Sequence, residues 1–178
     1  KLQTDSIIVA SGIKFPQPIL GINPKETETN LLKELPIKAV SIRRRLLPPR
    51  LEIEIQERKP VAFAQRRGLN GLEKGMIDQD AYWIPIIMAN QTNEPQLAVH
   101  VDGWIASHRK WISIILKNRE ELGSPLKKII ISPSGDLSLQ TKMFDSVYLG
   151  SNPIHLKKQI KILNHLSNKL PKDFINKR

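Results

Sequence analysis

Residues 37–64, IKAVSIRRRLLPPRLEIEIQERKPVAFA, alternate side chains at the two-residue period of a strand, stop at Pro48-Pro49, and take up the alternation again. A period of two sends successive side chains to opposite faces, so such a run buries one face only. In the first strand Val40, Ile42 and Arg44 share one face and Ala39, Ser41 and Arg43 the other. In the second, Leu51, Ile53 and Ile55 oppose Glu52, Glu54 and Gln56. The pattern predicts a half-buried antiparallel hairpin. Its tail, Glu57-Arg58-Lys59-Pro60-Val61-Ala62, runs charge into a proline and then into a new apolar run. Proline has no N–H for a ladder, so the chain turns or changes sheet there. Pro60 is the expected joint between two domains.

Upstream, residues 7–13 predict a short strand closing on Gly12, and Pro16, Pro18 and Gly21 make residues 14–21 irregular. Asn23-Pro24 opens a helix: Asn23 is a good N-cap, Pro24 suits the first helical position, and Glu26 and Glu28 favour the positive end of the dipole. Leu31, Leu32 and Leu35 are its expected buried face, and Pro36 ends it. Strand, helix, strand and strand make a small α+β unit with a helix on one sheet face.

Beyond Pro60 the pattern predicts a second mixed unit of roughly five strands and two helices. Residues 61–64 continue as a strand, Gly68, Gly71 and Gly75 mark a loop, residues 82–88 form an apolar run, and residues 90–95 read as a turn. A short apolar segment at 97–101 precedes Asp102-Gly103. From Trp104 to Leu122 the period becomes helical through Ile105, His108, Ile112, Ile115 and Leu122, and Gly123 stops it. Residues 127–132, 136–142 and 145–149 predict three strands, the first two joined at Ser134-Gly135, and Pro153 precedes a final helix.

The net charge of +11 over 178 residues invites a nucleic-acid reading. More than half of it sits on residues 151–178, which hold seven basic groups and one acidic. Leu156, Ile160, Leu163, Leu166 and Leu170 fall on one helical face there, with lysines mostly on the other. Two readings stand for this basic amphipathic helix: packing on a sheet with a solvated lysine face, or contact with an anionic surface such as lipid, cell-wall polymer or partner. Along the helical face from Leu156 to Leu170 no Phe, Tyr or Trp interleaves the lysines to stack bases, so nucleic acid is not the expected partner.

Catalysis finds no constellation. The absence of cysteine excludes disulfides, thiolate metal sites and thiol chemistry. His100, His108, His155 and His165 make no ligand pair at metal spacing; His100 beside Asp102 offers at most a structural hydrogen bond. Ser132-Pro-Ser134-Gly135 is a turn rather than a G-x-S-x-G elbow, and no G-K-[ST] follows the glycines. Asp78 and Asp80 suit a turn, and Trp83, Trp104 and Trp111 a core or interface. No catalytic, cofactor-binding or metal-ligating residue is predicted.

The order of these motifs carries a resemblance. A helix ending in Leu-Pro, a strand, a proline turn, an alternating Leu-x-Ile-x-Ile strand and Glu-Arg-x-Pro-Val-Ala resemble FtsQ/DivIB, the bacterial cell-division proteins. Met76-Ile77-Asp78 stands where that family writes an apolar-Ile-Asp-x-x-Gly signature, with Ala81 in place of the glycine; Leu137-Ser-Leu and Val147-Tyr-Leu-Gly150 look like its later strands. Arg45-Leu-Leu-Pro-Pro49 is similar to the turn of cyanobacterial members.

The resemblance implies a POTRA-like domain over 1–60, a three-stranded sheet with one or two helices, then an FtsQ-type β domain over 61–178, its sheet antiparallel-rich, with two helices. If there are two POTRA helices, the first falls in residues 14–21, where two prolines and a glycine make it short or absent. It further implies a non-enzymatic divisome scaffold: the periplasmic part of a single-span inner-membrane protein that recruits septal peptidoglycan synthesis proteins. The chain opens on Lys1 and holds no apolar run of the roughly 20 residues a span needs. The one anchor helix is expected upstream. Implied partners are FtsB/FtsL-like proteins and the septal transpeptidase complex, met partly by strand addition. Ile175, Lys177 and Arg178 are the start of the partner-binding final strand, the rest of which is expected to be missing, and Val40, Ile42 and Arg44 are a second candidate surface. Alternatives are a POTRA-like adaptor of another envelope assembly or secretion complex, and a basic nucleic-acid-binding module.

Overall fold

The computed structural model describes residues 3–14, 16–86 and 97–169. They form two compact units, one running to Arg58 and the other from Lys59 onward. Both mix helices with a sheet, and the fold class is α+β.

The first unit comprises α1 (Thr4–Ser11), a 3-10 turn (Ile19–Gly21), α2 (Pro24–Glu34), β1 (Ile37–Leu46) and β2 (Pro49–Glu57). Helix α2 starts as its sequence demands, with Asn23 Oδ1 accepting from the Lys25 N–H at 3.2 Å and Pro24 in the first turn. Strands β1 and β2 pair antiparallel, with Val40 opposite Ile55, Ile42 opposite Ile53 and Arg44 opposite Leu51. That register puts Val40, Ile42, Leu51, Ile53 and Ile55 on one face, and they pack with Leu31, Leu35, Ile37 and Ala10. The opposite face carries Arg45, bonded to Glu52 at 3.0 Å.

Three expectations change here. Residues 7–13 belong largely to helix α1 rather than to a strand: Ile7, Ile8 and Val9 are consecutive, not alternating, and a short apolar run of that kind suits either structure. Gly12 closes α1 in the left-handed region at φ 71°, its N–H on the Val9 carbonyl. Residues 14–21 hold the single 3-10 turn. Leu32, expected inside, is exposed. Among the described residues the sheet of this unit has two strands, not three.

Among the described residues the second unit is built on one seven-stranded sheet of order β5-β4-β3-β6-β7-β8-β9. Its strands are β3 (Ala62–Gly68), β4 (Gly71–Ile77), β5 (Trp83–Pro85), β6 (His100–Asp102), β7 (Leu126–Ile131), β8 (Leu137–Thr141) and β9 (Val147–Gly150). The pairs β3/β6 and β6/β7 are parallel and the others antiparallel. Helices α3 (Arg109–Lys117) and α4 (Leu156–Lys169) supply Ile112, Ile115, Leu116, Leu156, Ile160 and Leu163 to a core shared with Ala62, Ala64, Val101, Ile129, Ile131, Leu137 and Leu139.

Among the described residues seven strands replace the roughly five expected: the glycine-marked stretch is a hairpin that adds β4, and the short apolar segment before Gly103 leads into β6. Strand β3 runs to Gly68, Leu69 and Asn70 turn, and β4 returns through Gly75. Gly75 is needed there because a Cβ would stand 2.4 Å from the Trp83 ring. The long helix expected from Trp104 is shorter: α3 is flanked by 3-10 turns at Ala106–His108 and Arg119–Leu122. On α4, Leu166 is exposed and Ser167 is buried in its stead, donating to the Leu122 carbonyl at 3.2 Å. That close approach uses Gly123, at φ 70°, where a Cβ would lie 2.8 Å from that of Ser167. Residues 90–95, expected to turn, and Leu170 lie outside the described residues.

Gly75→Ala is expected to destabilise the second unit by about 1–3 kcal/mol, the usual cost of overpacking a tight contact. Gly21→Ala, which meets nothing within 4 Å, serves as the neutral control. Denaturant unfolding of the two variants checks this; equal stability would contradict the assigned contact.

Candidate interaction surfaces

An edge strand offers unpaired N–H and C=O groups, so what covers each edge decides where another chain can join. Along β1 the candidates Val40, Ile42 and Arg44 lie on the core-facing side. Ile42 is buried, Val40 half-buried, and Arg44 is exposed but reaches back, its Nη1 donating to the carbonyls of Leu20 at 3.2 Å and Ile22 at 3.4 Å. The outward N–H of Ile42 donates to Glu28 Oε1 of α2 at 2.9 Å. A strand added here must displace that carboxylate. Ile175, Lys177 and Arg178 lie outside the described residues.

Strand β9 ends the sheet of the second unit among the described residues. Leu149 is the extra residue where the β8/β9 register slips, and Gln159 of α4 donates to its carbonyl at 3.0 Å. The Gln159 Oε1 is buried without a hydrogen-bond partner. Glu28 and Gln159 were not singled out by sequence. Glu28 reads there as a dipole partner, and nothing in the spacing of either marks it as reaching a strand. On α4, Lys157, Lys158, Lys161 and Lys169 are all exposed, and Leu156, Ile160 and Leu163 are buried.

The residues weighed for chemistry take structural partners. His100 stacks on Phe63 with ring centroids 5.5 Å apart, while Asp102 accepts from Gln65 Nε2 at 2.7 Å and pairs with Lys128. The histidine and the aspartate therefore do not meet. Asp78 Oδ1 accepts from the N–H groups of Asp80 and Tyr82, both at 2.9 Å. These bonds hold the turn in which buried Ala81 takes φ 58°, the position of the family's glycine. Trp104 Nε1 donates to the Ala81 carbonyl at 3.0 Å, Trp83 packs beside Trp104 at 5.3 Å, and the Arg66 guanidinium lies 4.4 Å over Trp83.

The Ser132–Asp136 turn is a closed network. Ser134 Oγ donates to Asp136 Oδ2 at 2.6 Å, the Asp136 N–H donates to Ser132 Oγ at 3.0 Å, and the Tyr148 hydroxyl donates to Asp136 Oδ1 at 3.0 Å. His108 bonds the Gly135 carbonyl of this turn through Nε2 at 3.1 Å. Among the described residues no group of three metal-ligating side chains forms a site. The Ser134 and Tyr148 hydroxyls hold the Asp136 carboxyl below its ordinary value, and the Asp136 carboxylate pushes the Tyr148 phenol up.

Residues 1–58 match the family model of the POTRA domain, FtsQ-type. No curated protein matches the chain. Among the described residues no helix is long and apolar enough to cross a membrane.

A carboxyl with a lowered pKa lends stability above its unfolded value near 3.9 and loses it as pH falls toward the folded one. Tyr148→Phe removes one donor, so the Asp136 pKa is expected to rise back toward that value, and the stability the carboxylate lends becomes smaller and is fully lost at a higher pH. Carbon-13 titration of the Asp136 carboxyl checks this. An unchanged pKa would mean that the hydroxyl bond contributes nothing in solution.

Proposed function

We propose that this chain is the extracytoplasmic part of a single-span division protein that links septal peptidoglycan synthesis proteins without catalysing a reaction. The FtsQ-type POTRA match over residues 1–58 is the observation that carries this reading. In it, residues 1–60 are the POTRA domain and residues 61–178 the FtsQ-type β domain. The anchor helix lies upstream, and the chain stands on the periplasmic side of the inner membrane at the septum. Partners are FtsB/FtsL-like proteins and, through them, the septal transpeptidase complex.

Strand addition is the binding mode that the architecture favours, since main-chain bonds at an edge supply affinity and alternate side chains supply specificity. Ile175, Lys177 and Arg178 begin the platform at the carboxyl end. Val40, Ile42 and Arg44 form the second surface, with Glu28 as the group an incoming strand displaces at Ile42. The exposed lysines of α4 face an anionic partner or surface.

The test is hydrogen exchange on the chain with and without the extracytoplasmic segment of an FtsB-like protein from the same organism. New protection confined to a strand edge, at residues 40–44 or beyond residue 170, is the expected result. No binding to FtsB-like or FtsL-like segments, with capture instead by another envelope assembly, would move the chain to the alternative adaptor reading. Tight, salt-dependent binding of duplex or single-stranded nucleic acid would overturn the proposal.

A further inference from the structure

The β1–β2 hairpin outruns the core beneath it. Ten residues of strand extend about 33 Å, whereas the eleven residues of α2 rise only about 16 Å, so one helix cannot cover the hairpin along its length. The packed row along β1 ends at Ile42, and Arg44 folds back onto the Leu20 and Ile22 carbonyls. Beyond it, Leu46 is 61% exposed and Leu47 is 92% exposed, and beside the row's end Leu20 is 72% exposed. Two prolines follow, so the tip presents Leu-Leu-Pro-Pro in sequence.

Beside this apolar tip, mainly on the outer face of the hairpin, stands a basic patch. Residues 43–50 hold Arg43, Arg44, Arg45 and Arg50 and no acidic residue. The nearest carboxylate, Glu52, pairs with Arg45 at 3.0 Å and Arg50 at 2.8 Å and leaves an excess of positive charge. Leucines at the tip, beside a patch of arginines on the outer face, match a bilayer interface in both layers: acyl chains take the leucines, and anionic headgroups take the guanidinium groups. The other exposed hairpin turn carries a smaller basic excess. Leu69 and Leu72 also face solvent there, but residues 66–74 set Arg66, Arg67 and Lys74 against Glu73, with Arg66 bonded to that carboxylate and lying over Trp83.

We propose that the β1–β2 tip is a lipid-docking wedge, inserting Leu46 and Leu47 into an anionic membrane surface while Arg43, Arg45 and Arg50 hold its headgroups. The inference rests on the hairpin alone and not on the division reading. Two leucines and a few arginines give weak, reversible contact. An acidic polypeptide is the competing occupant. It satisfies the arginines but leaves the leucines in water.

The test uses the chain as it stands, with vesicles of phosphatidylglycerol and phosphatidylcholine against phosphatidylcholine alone. The chain has no cysteine, so Leu47→Cys accepts a single polarity-sensitive dye, with Leu69→Cys and Lys158→Cys as the other label sites. The expected result is a blue shift at position 47, on anionic vesicles only, with little at 69 or 158. Leu46→Ser combined with Leu47→Ser is expected to weaken vesicle partitioning about tenfold or more. Each of Arg43→Gln and Arg45→Gln is expected to weaken it about fivefold. Leu69→Ser, equally exposed, should leave it unchanged. All these positions are at the surface, and circular dichroism confirms folding. No shift at position 47, or vesicle binding indifferent to loss of both leucines, would overturn the proposal. So would a shift produced equally by soluble polyglutamate.

Discussion

A strand advances about 3.3 Å per residue and a helix about 1.5 Å, and in the first unit this mismatch decides what is core and what is surface. Helix α2 places Leu31 against Ile42 and Ile37, and the packed row extends only as far as one short helix and α1 reach. Within that reach the hairpin is a layer of a small α+β unit. Past it, the same alternation goes on producing apolar side chains with nothing to cover them. Arg44 marks the boundary, because its guanidinium leaves the apolar row to bond two carbonyls of the preceding turn.

The second unit meets a related constraint in another way. One face of its sheet is covered by α3 and α4, and the opposite face carries side chains that satisfy each other: Phe63 with His100, and Gln65 and Lys128 with Asp102. Groups that look like chemistry in the sequence are in this way consumed by packing and turn formation. The same holds for the Ser132–Asp136 network and for Asp78. What stays available is backbone at the ends of sheets, and there Glu28 and Gln159 place polar side chains on strand groups that the ladder leaves over.

Much of this was legible in the sequence where period and punctuation agreed. Alternation located β1 and β2, Asn23-Pro24 located the start of α2, and the 3.6-residue spacing located α4. Sequence failed where a local signal had two solutions. Ile7, Ile8 and Val9 form a run too short to separate helix from strand, and Gly68, Gly71 and Gly75 read as a loop because the one that matters in the strand answers to Trp83, a residue brought there by tertiary structure. Of the candidate surface residues, the β1 row was visible as a pattern. Its occupation by Glu28 was not, since that bond joins residues fourteen apart across two elements. The turn at Asp78 survives without its glycine because two N–H bonds to the carboxylate hold Ala81 at positive φ.

The central claim is that the chain serves as a scaffold of the division machinery, and its most direct test is in the cell that makes the protein. A fluorescent fusion of the full-length protein is imaged while the native copy is depleted. The account predicts a band at the constriction site and cells that grow without dividing as the protein runs out. A signal spread evenly around the envelope, with division continuing at its normal rate, would contradict it.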